Sequence, residues 1–372
     1  MAAPRNVVEL LQDLVRIPSV NPNGDPGTEG VGEARIAAYL VEFLRGIGAE
    51  VELREVLPDR PNVVARWPGD RAGKPRVLLA PHTDTVSVGG MSIDPFSGEL
   101  REGKVWGRGA SDTKGPMASM LWALKETHEK LPSLGHEIWF AGLMSEEADQ
   151  HGSRALAAQE RFDFVIAAEP TDLEVVHAHK GNAFFNLRTT GVAGHASRPE
   201  LGSNAIDKML DVLAVIQTEF AAEFAEQRDP KLGSSTLSIG TIRGGTKTNI
   251  IPDFCEASVD MRFVPGHYQP GTIQRFRKRL ELVCPDIEIS CVPAPALYTD
   301  PAHPLVVKLG ECGAKPVGAP WLCDACYFAE RGMPSVALGP GTIRQAHTKD
   351  EHIAVADLEK GVAFFTDFLG RL

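Results

Sequence analysis

Short apolar runs alternate with helical patterns through the first half of the chain. Runs such as VLLA and FVIAA contain no polar alternation, which is expected of strands covered on both faces. We therefore predict the α/β class, with a mostly parallel central sheet flanked by helices. The predicted strands are Val51–Leu57, Asn62–Trp67, Val77–Ala80, Glu137–Leu143 and Phe164–Ala168, and the predicted helices are Gly30–Ile47 and Gly115–Glu129.

The pattern changes near Val175. The stretch NAFFNLRTTG and the stretch Cys255–Phe263 alternate apolar and polar residues, which indicates strands with one face open to solvent. Amphipathic helices are predicted at Asn204–Phe220 and Thr272–Val283. A proline-rich connector then returns the chain to the first pattern. We predict one domain formed by residues 1–174 and 294–372, with an inserted α+β domain at residues 175–293.

Composition narrows the possible classes of protein. The chain has 372 residues and a formal net charge of -11, which argues against nucleic acid or an anionic membrane as a partner. The N-terminus has apolar residues at helical spacing (Val8, Leu11, Leu14, Val15), so we predict a first amphipathic helix rather than a signal peptide. No apolar run reaches the roughly 18 residues that a membrane span needs.

Six cysteines lie between Cys255 and Cys326 and do not form a disulfide framework. Cys323 and Cys326 make one CxxC, but no second pair completes a four-thiolate site, so we interpret them as ordinary buried cysteines. A reducing cytoplasm is the predicted compartment.

Histidine and carboxylate residues, the usual ligands of a metal ion, follow the predicted strands. In open parallel sheets, ligands bind beyond the carboxyl ends of the strands. A mixed imidazole and carboxylate set without thiolate suits Zn²⁺, Co²⁺ or Mn²⁺ in hydrolysis. Two metal ions need a bridging carboxylate and about two further ligands each, and that count leaves one Glu free to act as a general base. The residues concerned are His82, Asp84, Asp112, Glu146, Glu147, Glu169 and His347.

The motifs HTDTV, GRGASDTKG, SEE, AEP, GHAS and QAHTKDE occur in this order along the chain. In these motifs the chain resembles the co-catalytic zinc amidohydrolases and peptidases, a family that includes acetylornithine deacetylase, succinyl-diaminopimelate desuccinylase, aminoacylase and the glutamate carboxypeptidases. The resemblance implies a zinc-peptidase-like domain with an inserted ferredoxin-like lid and dimerisation domain. It also implies two divalent metal ions per chain, with Zn²⁺ expected.

The resemblance assigns a role to each residue of the set. His82 and Glu169 are expected to hold one metal, Glu147 and His347 the other, with Asp112 bridging both. Glu146 is expected to be the general base, and Asp84 to orient the His82 imidazole. A cis peptide bond is expected after Asp112.

Further residues are implied in the inserted domain. His195, in GHAS, is expected to reach the active site of the partner subunit in a homodimer and to help hold the oxyanion. Asn249 and Arg262 match positions that contact the substrate, and a guanidinium is suited to a substrate carboxylate.

The resemblance predicts hydrolysis of the amide bond of an N-acyl amino acid, and acetylornithine deacetylase is the most similar member. Glu169, where aminopeptidases of the family tend to have Asp, favours deacylases and carboxypeptidases. Succinyl-diaminopimelate desuccinylase and a glutamate carboxypeptidase acting on a dipeptide remain alternatives. An inactive binding protein that keeps the fold is a third. A nucleotide-binding protein is disfavoured because the chain has no P-loop, and Gly107-Arg108-Gly109 leads into Ala110-Ser111-Asp112.

Overall fold

A computed structural model describes residues 3–23, 28, 31–67, 73–267 and 271–372. The chain divides into two compact units. The first unit comprises Met1–His177, Tyr298–Val317 and Cys323–Leu372, and the second comprises Ala178–Leu297 and Gly318–Leu322. Each unit has its own buried apolar core.

A large mixed sheet organises the first unit. Its four central strands are parallel to one another, while the strands on either side of them pair antiparallel. The α/β class is therefore confirmed, and the parallel arrangement is confined to the middle of the sheet. Within the described residues the strand order is Glu50–Leu57, Arg60–Arg66, Glu137–Gly142, Arg76–Pro81, Phe164–Ala168, Ser335–Ala337, Val175–His179 and Leu297–Tyr298, with Pro316–Ala319 also paired to Val175–His179.

The central strands are buried on both faces. Val77 and Leu79 pack into one apolar core, whereas Leu78 and Ala80 pack into another on the opposite face. This arrangement explains why their sequences lack alternation. The helices of the first unit are Val7–Val15, Ala34–Gly46, Lys114–Thr127, His151–Gln159, Pro304–Glu311, Ala325–Glu330 and Val355–Gly370.

The predicted strands and helices of this unit are confirmed to within a few residues at their ends. The predicted helix Gly30–Ile47 begins at a residue that lies outside the described ones, and the helix that the structure describes is Ala34–Gly46. A small antiparallel sheet was not predicted. It contains Glu99–Arg101, Lys104–Trp106 and His352–Ala354.

The second unit contains an antiparallel sheet that has, within the described residues, four strands in the order Thr236–Gly244, Phe254–Phe263, Gly181–Thr190 and Glu288–Ala294. Phe185 and Leu187 point into the core while Asn186 lies on the other face, so the predicted one-sided burial is confirmed. Helices Ala205–Val215 and Thr272–Val283 contribute to this core. The order of strands and helices along the chain matches a ferredoxin-like unit.

Asn204 caps a helix of the second unit rather than belonging to it. Its side-chain oxygen accepts the main-chain N–H of Ile206 at 2.9 Å, so the helix begins at Ala205. It continues through a π-helical turn, Ile216–Phe220, into Ala221–Glu226. None of the six cysteines, all of which lie among the described residues, forms a disulfide bond, and Cys323 and Cys326 are buried. In the part of the chain that the structure describes, no helix is long and apolar enough to cross a membrane.

Candidate metal centre

Three neighbouring parallel strands end beside one another and lead directly into predicted ligands. Arg76–Pro81 lies between Glu137–Gly142 and Phe164–Ala168 in the sheet. His82 follows the first of these strands and Glu169 follows the third. The bridge between His82 and Leu143 extends the pairing to the segment that carries Glu146 and Glu147. The carboxyl edge of the sheet therefore gathers these side chains.

The predicted ligands form two groups that share one residue. The first group is His82, Asp112 and Glu169, and the second is Asp112, Glu147 and His347; within each group the donor atoms lie within 4.8 Å of one another. Asp112 Oδ1 lies 3.2 Å from His82 Nε2, and Asp112 Oδ2 lies 3.3 Å from His347 Nε2. The two oxygens of Asp112 thus face different histidines.

Backbone geometry presents Asp112 and its neighbours to the site. The Asp112–Thr113 peptide bond is cis, as the resemblance implied. The Thr113 hydroxyl donates to the Ala168 carbonyl oxygen at 2.7 Å, which ties this loop to the strand that precedes Glu169. His347 adopts a φ of 61°, a left-handed conformation that costs a non-glycine residue on the order of 1–3 kcal/mol and that clusters at functional sites.

Asp84 contacts more than the imidazole that it was predicted to orient. His82 Nδ1 lies 3.0 Å from the main-chain oxygen of Asp84 and 3.5 Å from its carboxylate. The carboxylate accepts the main-chain N–H groups of Glu146 at 3.0 Å and Glu147 at 3.1 Å. The Asn21 side chain donates to it at 2.7 Å. Although burial opposes ionisation, these donors and His82 hold the pKa of Asp84 below its usual range.

The charge of the site fits bound cations. Burial raises the pKa of Glu169 well above its usual range, and the neighbouring carboxylate of Asp112 raises it further. Burial and Asp112 also raise the pKa of Glu147. In the two donor groups, two imidazoles face three carboxylates; the first group is buried, whereas in the second Glu147 is half-buried and His347 is exposed. Divalent cations would offset this charge, and the imidazole and carboxylate donors are those that catalytic zinc sites use.

Glu146 lies beside these groups and belongs to neither of them. Its Oε1 accepts a hydrogen bond from Gln150 Nε2 at 3.3 Å. Burial raises the pKa of Glu146 well above its usual range, and the nearby Asp324 carboxyl adds to the effect, while His82 opposes it. A half-buried carboxyl that is not a ligand is free to exchange a proton with a reacting group.

The three remaining predicted residues lie in the second unit. The loops that carry His195 and Asn249 pair: the Ala196 N–H donates to the Asn249 carbonyl oxygen at 3.1 Å. His195 is exposed, and its Nδ1 lies 2.7 Å from the Ser197 hydroxyl oxygen. Arg262 lies apart from them on a strand, where it makes a two-point ion pair with Asp260 at 2.8 and 3.0 Å.

The sequence did not reveal buried residues that contact the predicted ligands or the loops that carry them. Asn21 contacts Asp84, and Asp324 accepts a hydrogen bond from the Ser153 hydroxyl at 2.5 Å. Burial raises the pKa of Asp324 to about 7. Glu351 contacts the loop that carries Asp112. The only signal in the sequence was the position of Glu351, four residues after His347.

Comparison with known proteins agrees with this geometry. Residues 78–371 match the model of Peptidase family M20/M25/M40. The chain is 31% identical over 370 residues to acetylornithine deacetylase of Proteus mirabilis, covering 95% of this chain and 93% of that protein. Among solved structures, aminopeptidase PepT from Bacillus cereus shares 22% identity, with 97% and 98% coverage and a TM-score of 0.76. Bacillus subtilis YXEP, described as a dinuclear metal binding peptidase, shares 15% identity, with 98% and 96% coverage and a TM-score of 0.69.

The sheet, the inserted unit and the shared-carboxylate site define a metal-dependent hydrolase. The chain belongs to Peptidase family M20/M25/M40. The predicted family and enzyme class are thereby confirmed.

Proposed function

We propose that this protein hydrolyses the amide bond of an N-acyl amino acid with two metal ions, in the manner of acetylornithine deacetylase. The observation that carries the proposal is the position of Asp112, whose two carboxylate oxygens face the two donor groups. Two ions about 3.5–4 Å apart with one shared carboxylate are typical of hydrolytic dinuclear sites. The names of the sequence relatives and of the dinuclear neighbour support it.

The ligand assignment follows the two donor groups. His82 and Glu169 would hold one ion, Glu147 and His347 the other, and Asp112 both. When bound, the ions supply Lewis-acid polarisation of the scissile carbonyl and acidify a water molecule. We propose Zn²⁺, with Co²⁺ or Mn²⁺ as alternatives, and metal analysis of the purified protein tests this choice.

Glu146 is the proposed general base. It takes a proton from the attacking water and passes it to the leaving amine nitrogen. The half-buried position of Glu146, beside both donor groups but outside each of them, suits both steps. The main-chain N–H groups of Glu146 and Glu147 donate to the Asp84 carboxylate, which fixes the backbone that carries the base and the neighbouring ligand.

Residues of the second unit are proposed to complete the site. Arg262 would bind the carboxylate of the amino-acid substrate, exchanging its present partner Asp260 for a two-point contact with the substrate. Asn249 would contact the substrate. His195 would act in trans within a homodimer, stabilising the oxyanion of the partner subunit's reaction.

Mixed dimers test the trans role. His195→Ala and Asp112→Ala chains are inactive alone, but each mixed dimer holds one complete site if His195 serves its partner. Random pairing should therefore restore about a quarter of the wild-type activity. The double variant His195→Ala/Asp112→Ala, paired with His195→Ala, is the control that should restore none. Absence of rescue in the first mixture would show that His195 does not act in trans.

A substrate panel tests the reaction itself. N-acetyl amino acids, N-succinyl-diaminopimelate and glutamate-ending dipeptides should be compared by kcat/KM, with metal content measured on the same samples. The proposal expects N-acetyl substrates, including N-acetylornithine, to be preferred. Preference for the succinyl substrate or for a dipeptide would instead favour succinyl-diaminopimelate desuccinylase or a glutamate carboxypeptidase. A preparation active without metal would contradict the whole scheme.

Compartment and domain boundaries are also proposals. The absence of disulfide bonds among the six described cysteines supports a reducing cytoplasm, which cell fractionation can test. We propose residues 1–174 with 294–372 as the catalytic domain and residues 175–293 as the lid and dimerisation domain. Limited proteolysis should cut near residues 174 and 294 if these are the boundaries.

A further inference from the structure

Glu351 is fully buried in the first unit. It directly precedes the strand His352–Ala354, which pairs antiparallel with Lys104–Trp106. The Gly107 N–H continues this pairing by donating to the Glu351 carbonyl oxygen at 3.0 Å. The small sheet thus places the Glu351 side chain beneath the loop that runs from Gly107 to Asp112.

The carboxylate of Glu351 collects four donors. Oε2 accepts Arg108 Nη1 at 2.7 Å and the main-chain N–H of Gly109 at 3.0 Å. Oε1 accepts the main-chain N–H groups of Ser111 at 2.8 Å and Asp112 at 2.9 Å. Three of the four donors belong to the backbone of one short loop. A carboxylate satisfied in this way fixes the course of that backbone.

The same side chain connects the loops that carry two ligands. The main-chain nitrogen of Asp112 is held on Glu351, while the Asp112 side-chain oxygens face His82 and His347. Arg108, which pairs with Glu351, also donates to the Thr348 carbonyl oxygen at 3.3 Å, next to His347. A change at Glu351 therefore reaches the residue that both donor groups share.

We propose that Glu351 is a positioning residue for both metal ions, acting through the main chain of Asp112. The inference rests on the proposed dinuclear site. It differs from a purely structural role of the Glu351–Arg108 ion pair, because a structural role affects folding without changing the affinity for metal in protein that has folded.

Metal titration of the folded protein tests this inference. Metal-free Glu351→Gln should be titrated with Zn²⁺ by calorimetry, and with Co²⁺ by absorption spectroscopy, beside the unsubstituted protein. The amide nitrogen of glutamine cannot accept the N–H bonds of one carboxylate oxygen. We expect both ions to bind about 10- to 100-fold more weakly, as is typical when an outer partner of a ligand is lost. The Co²⁺ spectrum should also change.

Glu137→Gln is the matched control. Glu137 is another buried carboxylate of the first unit paired with an arginine, Arg76, at the far end of a strand that leads toward Glu146. The affinities of the Glu137→Gln variant for both metal ions should equal those of the unsubstituted protein. If Glu351→Gln does not fold without metal, as judged by circular dichroism, Glu351→Asp replaces it. That variant keeps the charge but withdraws the oxygens by one methylene group, and weaker binding of both ions is again expected.

The outcomes separate this inference from the proposed function. If the unsubstituted protein fails to bind two ions, the dinuclear site itself is wrong. If it binds two ions and the Glu351 variant binds both equally well, the positioning role is wrong. Loss of affinity for one ion alone would also overturn it, because an effect transmitted through Asp112 must reach both groups.

Discussion

Four carboxylates in and around the site fall into two groups according to what they contact. Glu147 and Glu169 face the imidazoles and the shared Asp112. Asp84 and Glu351 instead accept main-chain N–H groups of the loops that carry those ligands. Because each of these two carboxylates accepts several N–H bonds, the second group can hold the ligand loops in place without a metal, although burial raises the pKa of Glu351. Ligand geometry is then set before any ion binds.

Glu146→Gln tests the base directly. The substitution keeps the size of the side chain but removes its ability to accept a proton. We expect kcat to fall by about 100- to 10,000-fold, the usual contribution of general acid–base catalysis, while metal content stays unchanged. Glu137→Gln, at the other end of the strand that precedes Glu146, should retain activity. Turnover near the wild-type rate in Glu146→Gln would exclude Glu146 as the base.

At the residue scale, the sequence predicted the metal ligands but not the residues that hydrogen-bond to the loops carrying them. Each ligand directly follows a predicted strand or lies in a recognisable motif, so its type and position gave a testable set. Glu351 contacts Ser111, which lies 240 residues away in the chain. A single Glu in a polar loop carries no local signal of such a partner. Contacts of this kind depend on the folded loops, which periodicity does not describe.

At the scale of elements, the helix His151–Gln159 is packed tightly against the segment that precedes Glu146. The Gly152 N–H donates to the Met144 carbonyl oxygen at 3.1 Å, and the Gly152 carbonyl oxygen accepts the Asn62 side-chain N–H at 2.9 Å. A Cβ at Gly152 would lie 2.5 Å from the Met144 oxygen and 2.6 Å from Asn62 Oδ1. Only glycine lets the helix start this close.

Gly152→Ala should therefore disturb the site through the helix. The methyl group must push the helix away from Met144, and we expect a loss of about 1–3 kcal/mol in the free energy of unfolding, with lower kcat. Gly310→Ala, in the helix Pro304–Glu311, is the control because nothing lies within 4 Å of its added Cβ. It should raise stability by up to about 1 kcal/mol. Denaturant unfolding and steady-state kinetics measure the free energy of unfolding and kcat of both variants. Equal changes in the two variants would contradict the packing argument.

Elements with a clear apolar pattern were predictable, but the short strands of the small antiparallel sheet were not. The strand Phe164–Ala168 is an uninterrupted apolar run, and the helix Thr272–Val283 has a clear apolar face. The strands Lys104–Trp106 and His352–Ala354 have three residues each, too few to show a period. Their pairing is what places Glu351 beside the loop of Asp112. The position of Glu351 therefore depends on two short strands whose sequences show no recognisable periodicity.

At the scale of the whole molecule, the charge distribution matters more than the net charge. The formal charge of -11 describes an acidic chain, but part of this acidity is concentrated in one cluster of carboxyl groups around Asp112, in which burial raises the pKa values of Glu146 and Glu169. Without cations, Glu146, Glu147 and Glu169 keep protons that the same residues release when the chain unfolds. The stability of the metal-free protein must therefore depend on pH in a way that metal removes.

The sign of that dependence follows from the pKa shifts. Burial raises the pKa values of these three glutamates in the folded chain, so between pH 5 and 7 the folded state holds more protons than the unfolded state. Each such group lowers stability as pH rises, by at most about 1.4 kcal/mol per pH unit. The raised pKa of His347, about 10, acts in the same direction above pH 6.5. Asp84 has a lowered pKa and titrates below this window.

Chelation should therefore lower the melting temperature more at pH 7 than at pH 5. Calorimetric scans of metal-loaded and chelator-treated protein measure the gap at each pH, and groups outside the site cancel in that difference. Bound metal stabilises the folded state by an amount that grows with its affinity, and affinity grows as fewer protons must be displaced. A gap that stayed constant or narrowed with rising pH would mean that the carboxylate cluster is not where the metal binds.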